Sequence, residues 1–462
     1  MKNDRISASF KDPSGFVFSI KELIYRQINK SYQDNYQLLI NSGLYDKLVS
    51  SNLLIEHQEI DLKNPAPEAY KIIKPKQIPF ISYPYEWCFG MLKDAAFLTL
   101  NIQKIALEHG LSLKDASAFN IQFLKGKPIL IDTLSFEKYG EGKPWIAYKQ
   151  FVEHFLAPLT LMSLTDFRLN RLSSFFINGI PLDLASKLLP FRSHFKPGVM
   201  LHIHAHAASQ KKYHQKKLSS ARIQKSFSKR AFLGLLDNLE GVIKSLSWNT
   251  KDTQWSEYYS GENNNYTSSS LTQKGELVKG FLKSIKSKTI WDLGANTGYF
   301  SRIAKQFADL VISFDLDLGA LEKNYQQLIK DHETNILPLF IDLTNPTPSL
   351  GWANEERLSL FQRGPADVTL ALALVHHLAI SANIPLSYIA SLFSKLSKYL
   401  IIEFIPKEDS QVKILLQNRE DIFPAYTKAG FEEAFKEFFQ IKKICPIKNS
   451  QRILYLMEKT KR

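Results

Sequence analysis

Cysteine is nearly absent. Cys88 and Cys445 are the only two in 462 residues, and they lie far apart in unrelated contexts. No disulfide framework, zinc site or iron–sulfur cluster follows from such a pair, so radical chemistry on a cluster held by three cysteines is excluded. No run of 18 or more apolar residues occurs, and no membrane-spanning helix is expected. No apolar segment resembling an export signal follows Met1-Lys2-Asn3-Asp4-Arg5. The expected location is therefore the reducing cytoplasm. Acids are missing from residues 209–230, which hold eight Lys and Arg.

The formal net charge is +14, so that one segment carries more than half of it. A basic stretch between two regions reads first as a solvated linker, with an RNA or anionic-membrane contact as its alternative. Just before it, Leu201-His202-Ile203-His204-Ala205-His206 alternates histidine. If extended, this puts all three on one face, and with no acid or cysteine nearby it reads as a surface or inter-domain feature. No metal site is expected. Hydrophobic content of 44% with 12% aromatics is ample for two or three packed cores. The expected organisation is an N-terminal α+β domain over 1–207, a basic linker or helical connector over 208–250 and an α/β domain over 251–462.

The strongest signal is Thr289-Ile290-Trp291-Asp292-Leu293-Gly294-Ala295-Asn296-Thr297-Gly298-Tyr299-Phe300. An apolar run ends in an acid, passes through a Gly-x-x-x-Gly turn and becomes helical. Phe300, Ile303, Ala304 and Phe307 then fall at i, i+3, i+4 and i+7. Strand, glycine turn and helix start together make a nucleotide-type site, where backbone passes close to a ligand and free N–H groups point at it. Leu310 to Phe314 predicts a second strand with Asp315 at its end, 23 residues after Asp292. Dinucleotide folds carry a ribose-binding acid about 20 residues on. A third strand, Ile336 to Ile341, ends in Asp342; a fourth, Val368 to Val375, ends at His376-His377; a fifth is Tyr399 to Phe404. A helix over Gly430–Phe439 and two further strands, Ile441–Ile444 and Arg452–Met457, close the pattern.

These motifs over residues 250–462 resemble the class I S-adenosylmethionine-dependent methyltransferases. The resemblance implies a Rossmann-like α/β domain with a seven-stranded, mostly parallel sheet, and S-adenosyl-L-methionine as cofactor. It implies that Gly294 and Gly298 shape the loop under the methionine portion. Asp292 would hold the cofactor's amino group, Asp315 the ribose hydroxyls and Asp342 the adenine edge. Asn296 stands where the family usually has glycine, and asparagine tolerates left-handed backbone better than other side chains.

The first 200 residues carry a second pattern. Asp115 precedes Asn120 by five positions, and Asp132 follows twelve later, after two apolar segments joined by Gly126-Lys127-Pro128. This resembles the catalytic loop and metal-binding acid of kinase-like phosphotransferases, which implies that Asp115 orients a hydroxyl while Asn120 and Asp132 hold Mg-ATP. The departures are a missing histidine near Asp115 and a missing glycine-rich loop: Asp12 to Phe18 contains only Gly15. The competing reading is that Asp115 and Asn120 cap turns and Asp132 closes a hairpin.

The segment after the fourth strand narrows the acceptor. Methyltransferases of exocyclic base amines carry Asn/Asp-Pro-Pro-aromatic there, whereas this chain has Leu374-Val375-His376-His377-Leu378. Neither cysteine is placed for attack on a pyrimidine carbon. A histidine of near-neutral pKa suits oxygen acceptors, so His376 or His377 is the candidate base, or one of them packs under the cofactor. The 250–462 region with its long extension also resembles bacterial methyltransferases of the nodulation-associated type, which implies a glycan or lipid-linked oligosaccharide acceptor. The expected function is O-methylation of a small molecule or saccharide. Its alternatives are an RNA methyltransferase docking through Lys211, Lys212, Lys216 and Lys217, a bifunctional protein with an ATP-dependent phosphotransferase domain, and a non-catalytic scaffold.

Overall fold

The structure is a computed structural model and describes residues 4–63, 65–209, 227–249, 268–417 and 420–460. Two compact units emerge, one of Met1–Asn249 with Ser349–Arg357 and one of Thr250–Pro348 with Leu358–Arg462. The basic side chains Lys211, Lys212, Lys216 and Lys217, and the aromatic stretch Trp255 to Tyr266, lie outside the described residues. Within the expected connector, residues Lys229–Ser245 form a helix that groups with the first unit, burying Phe232, Leu236, Leu239 and Ile243. That i, i+4, i+7, i+11 spacing makes one apolar face, which needs a core to cover it.

The first unit is α+β. An antiparallel sheet has the order β1-β2-β3-β5-β4, from β1 (Asp4–Arg5), β2 (Gly15–Ile20), β3 (Leu23–Asn29), β4 (His57–Ile60) and β5 (Ala69–Pro75). Ile28, Tyr32, Tyr36, Ile73 and Leu134 form a core cluster beside it. A long helix, Phe89–Glu108, precedes β6 (Leu111–Leu113), which pairs with β9 (Phe136–Lys138). Between them β7 (Ile121–Leu124) and β8 (Lys127–Leu130) form a hairpin. Its two turn residues, Lys125 and Gly126, both have positive φ, as the twist-matched two-residue hairpin turn requires.

The second unit is α/β, with seven strands in the order β12-β11-β10-β13-β14-β16-β15. These are β10 (Thr289–Leu293), β11 (Leu310–Asp315), β12 (Ile336–Phe340), β13 (Ala366–Ala371), β14 (Ser397–Phe404), β15 (Phe439–Pro446) and β16 (Ile453–Lys459). The first five in that order run parallel, and β16 is antiparallel to both its neighbours. Parallel strands are covered on both faces, and β12 is accordingly buried along its whole length. Val278, Phe281, Ile290, Phe300, Val311, Val368, Ile401 and Leu456 belong to one core cluster.

Three boundaries differ from the sequence reading. β13 stops at Ala371 because Ala373 turns into left-handed backbone at φ 52, so His376 and His377 lie in the helical turn beyond the strand. The helix after Gly298 ends at Ala304, so Phe307 is outside it. Phe439 opens β15, after a helix of Lys428–Lys436. The His202–His206 stretch is helical rather than extended, and His202 and His204 are buried in the first unit. His202 bonds the Tyr148 hydroxyl at 2.7 Å and the Asn238 side-chain Oδ1 at 2.7 Å, and His204 bonds Ser186 and Ser193 at 2.8 Å each. Both rings are spent on neighbours of the fold.

Candidate functional site

The sheet order reverses direction at β10, between β11 and β13. In open α/β sheets the crevice outside the carboxyl ends of such strands is where ligands bind. A cavity of about 370 Å³ opens there in the second unit. Asp292, Gly294, Asn296, Asp315, Asp342 and His377 all line it. Gly298 and His376 do not.

The loop between β10 and the next helix is held by backbone geometry and one carboxylate. Gly294, Asn296 and Gly298 have φ of 74, 52 and 82. At Gly298 an added Cβ would come within 2.5 Å of Asn324 Oδ1, so both conformation and space require glycine there. The Asn296 side-chain oxygen accepts from Thr297 N–H at 2.8 Å, the local bond that makes asparagine acceptable in left-handed backbone. Asp315 clamps the loop to β11: Asn296 N–H donates to Asp315 Oδ2 at 2.6 Å, and Asp317 N–H donates to its Oδ1 at 2.8 Å.

Asp292 is buried and accepts from the Ser301 hydroxyl at 2.6 Å, which in turn accepts from Ser313 at 2.6 Å. Burial pushes its carboxyl up to about 7, with Asp315 adding to the rise and Ser301 and Lys274 opposing it. Burial likewise pushes Asp315 up to about 6, against the stabilising N–H donors. A positive charge or further hydroxyl donors beside either carboxyl would favour its ionised form. Asp342 is half-buried and caps its own turn, accepting from Thr344 N–H at 2.9 Å and from the Thr344 hydroxyl at 2.6 Å.

The two histidines are separated by the fold. His377 faces the cavity, while the His376 ring packs against it at 4.1 Å between centroids and is buried. Burial lowers the pKa of both, and for His376 the neighbouring His377, Arg452 and Lys274 lower it further. Each ring is thus neutral at pH 7.

Sequence reading missed the cation in this site. Lys274, on the helix Ser268–Lys283, is 1% exposed and lines the cavity. Its ammonium donates to Glu403 Oε2 at 2.7 Å and lies 4.6 Å from the Phe300 ring centroid. Glu403 Oε2 also accepts from Ala373 N–H at 2.8 Å, which fixes the turn that leads to His377. Behind it Arg452 forms a two-bond pair with Asp409 at 2.7 and 3.1 Å. A lysine on a mixed helix face ordinarily reads as solvated, so the sequence held no sign of this burial.

Each member of the phosphotransferase-like trio in the first unit has a protein partner. Asp132 Oδ1 pairs with Arg26 of β3 at 2.7 Å and accepts from Leu134 N–H at 2.8 Å, and Arg26 also pairs with Asp12 at 2.7 Å. Asp115 Oδ1 accepts from Gln150 at 2.8 Å and from Ser117 N–H at 3.0 Å. Asn120 reaches Ser135 at 3.4 Å. A guanidinium thus already neutralises the acid that the resemblance assigns to Mg²⁺. Among the described residues no group of three or more His, Cys, Asp or Glu is placed to hold a metal ion, and no helix is long and apolar enough to cross a membrane.

This strand order, with an acid at the end of β10 and of β11, another just beyond β12 and a glycine loop between, is the fold of the class I S-adenosylmethionine-dependent methyltransferases. Nodulation protein NoeA of Rhizobium meliloti (strain 1021) is 34% identical over 469 aligned positions, covering 99% of this chain and 96% of that protein. The chain belongs to the family of nodulation protein NoeA. Among solved structures, N-methyltransferase NodS of Bradyrhizobium japonicum WM9 with S-adenosyl-l-homocysteine is 9% identical, covering 42% of this chain and 88% of that one at a TM-score of 0.32. Magnesium protoporphyrin IX methyltransferase of Synechocystis PCC 6803 is 15% identical, covering 41% and 84% at a TM-score of 0.29. No family model matches the chain.

Proposed function

We propose that the protein methylates an oxygen of a small molecule or saccharide, with the second unit as the catalytic domain and His377 as the base. The observation that carries this reading is one cavity lined by Asp292, Asp315, Asp342, Lys274 and His377. S-adenosylmethionine, when bound, supplies an electrophilic methyl on a sulfonium sulfur. Asp292 would hold its amino group, Lys274 its carboxylate, Asp315 the ribose hydroxyls and Asp342 the adenine edge. Leu372, Leu374 and Leu378 line the same cavity and keep water from the reacting atoms. A ring nitrogen of His377 takes the proton that an acceptor hydroxyl loses as it attacks. Transfer is an in-line displacement, so holding the two reactants in register contributes much of the rate.

For the first unit we infer a kinase-shaped domain without phosphotransfer. Its strand order, its hairpin between Asn120 and Asp132, and the Arg26–Asp132 pair support that reading.

Calorimetric titration with S-adenosylhomocysteine tests the cofactor site. Asp315→Ala removes the acceptor of two backbone N–H groups and the ribose contact, so affinity should fall at least about tenfold, since hydrogen bonds to a charged group contribute about 1.5–3 kcal/mol each. Saturable binding unchanged by Asp315→Ala would sink the assignment of this cavity to the cofactor.

The same titration has a pH signature. Asp292 and Asp315 have folded pKa values raised above the unfolded carboxylate range, so their ionisation destabilises the ligand-free fold as pH rises from about 4 to about 7. A cationic amino group favours the ionised form. Affinity is therefore expected to rise between pH 5.5 and 7 by up to about tenfold per unit per proton released, then level off. Affinity that weakens with rising pH over this window would contradict the proposed pairing with Asp292.

A further inference from the structure

Two phenylalanines of the first unit stand almost entirely in solvent. Phe191 and Phe195 are each 76% exposed, and their rings meet edge to face at 5.6 Å. Met200 and Leu201 are exposed on the helical segment that follows. The opposite side of the same segment is anchored: Ser193, Val199, His202, Ile203 and His204 are buried, and Ser193 bonds His204 at 2.8 Å. The apolar side chains are thus held outward by a fixed turn. Isolated exposed apolar residues need no explanation, but a cluster of large ones in a row does.

Within the segment itself, Leu184 to Leu201, the formally charged side chains are Lys187, Arg192 and Lys196, all cationic. Arg192, His194 and Lys196 are exposed and alternate with the aromatic pair. The chain from Leu184 to Leu236 contains eleven Lys and Arg and no acid at all. Apolar side chains that protrude beside the exposed cations Arg192 and Lys196 match the surface of an anionic bilayer. The apolar tips enter the headgroup and acyl boundary while the cations meet lipid phosphates. Met200 and Leu201 favour lipid over nucleic acid, where stacking aromatic faces would be used instead.

We propose that the Phe191–Leu201 surface docks this protein on a membrane rich in anionic lipid. Each half of the contact is weak alone, and the apolar side chains together with the exposed Arg192 and Lys196 give firmer attachment. The inference stands apart from the methyl-transfer reading, because none of these residues lines the cofactor cavity.

The test is co-sedimentation of the full-length protein with vesicles of phosphatidylcholine alone, or with one quarter of the lipid replaced by phosphatidylglycerol. Binding is expected to the anionic vesicles only. Phe191→Ser with Phe195→Ser should weaken it at least tenfold. Arg192→Gln with Lys196→Gln should weaken it by about 25-fold at low salt, at roughly fivefold per cation near the surface. Circular dichroism and thermal unfolding unchanged from wild type in both variants show that the first unit, which carries the substitutions, still folds. Absence of vesicle binding, or binding that the phenylalanine variant leaves intact, overturns the proposal. So does single-stranded RNA binding that the phenylalanine variant weakens and vesicles cannot compete away.

Discussion

Replacing His377 with alanine is expected to slow methyl transfer by about 10²–10⁴, the usual range for a positioned general base, with S-adenosylhomocysteine affinity little changed. The reason is its placement. Of the two adjacent histidines it is the one facing the cavity, and burial keeps its ring neutral and able to take a proton at pH 7. The pH dependence carries the same sign. The pKa is lowered below its ordinary value near 6.5, so rate should rise with pH only in the acidic range and be flat above about pH 7. The readout is transfer of labelled methyl from S-adenosylmethionine to the glycan and lipid-linked saccharide fraction of cells lacking the protein. His376→Ala serves as the comparison, because that ring is buried behind its neighbour. A His377→Ala protein that transfers methyl at the wild-type rate would remove the base from the mechanism. Equal loss of cofactor affinity would instead make His377 a part of the cofactor's wall.

The second large effect concerns stability. Lys274→Met leaves the Glu403 carboxylate, wholly buried, without its nearest cation. Breaking one partner of a buried pair typically costs about 3–5 kcal/mol because the remaining charge is stranded. Thermal unfolding should therefore begin roughly 10 °C lower, at about 2–4 °C per kcal/mol for a unit of this size. Lys274→Met combined with Glu403→Gln should recover much of the loss. The glutamine removes the stranded charge and its carbonyl oxygen can still accept from Ala373 N–H. Arg452 lies 3.8 Å from the other Glu403 oxygen and provides some compensation in the single variant. A single variant as stable as wild type, or a double variant less stable than the single, would show that the pair does not hold this end of the sheet.

Much of the second unit was legible because its chemistry is local. The acids at Asp292 and Asp315 and the glycines at 294 and 298 sit at fixed offsets within one strand–turn–helix passage, and the turn dictates those residues whatever surrounds it. The succession of strands followed from apolar runs of strand length separated by helical spacing, and the mostly parallel sheet from the resemblance to class I methyltransferases. The misplacements have local causes too. His376 and His377 were assigned to a strand end because Leu372 to Val375 is apolar, but Ala373 enters left-handed backbone, held by its N–H bond to Glu403. The alternating histidines of 202–206 looked like a strand because alternation has a period of two. The chain coils there instead, and each buried ring finds hydroxyl or amide partners from other elements.

By itself, then, the sequence determined the acids, the glycine loop and the succession of strands, since each of these is set by neighbours along the chain. Tertiary structure alone decided three other matters. It turned His377 rather than His376 toward the cavity, brought Lys274 in from a helix preceding the sheet to meet Glu403 on β14, and set Arg26 against Asp132 across more than a hundred residues. The physical reason is common to all three. Burial and charge pairing depend on which distant elements exclude water from a side chain, and that information is not written at any fixed spacing.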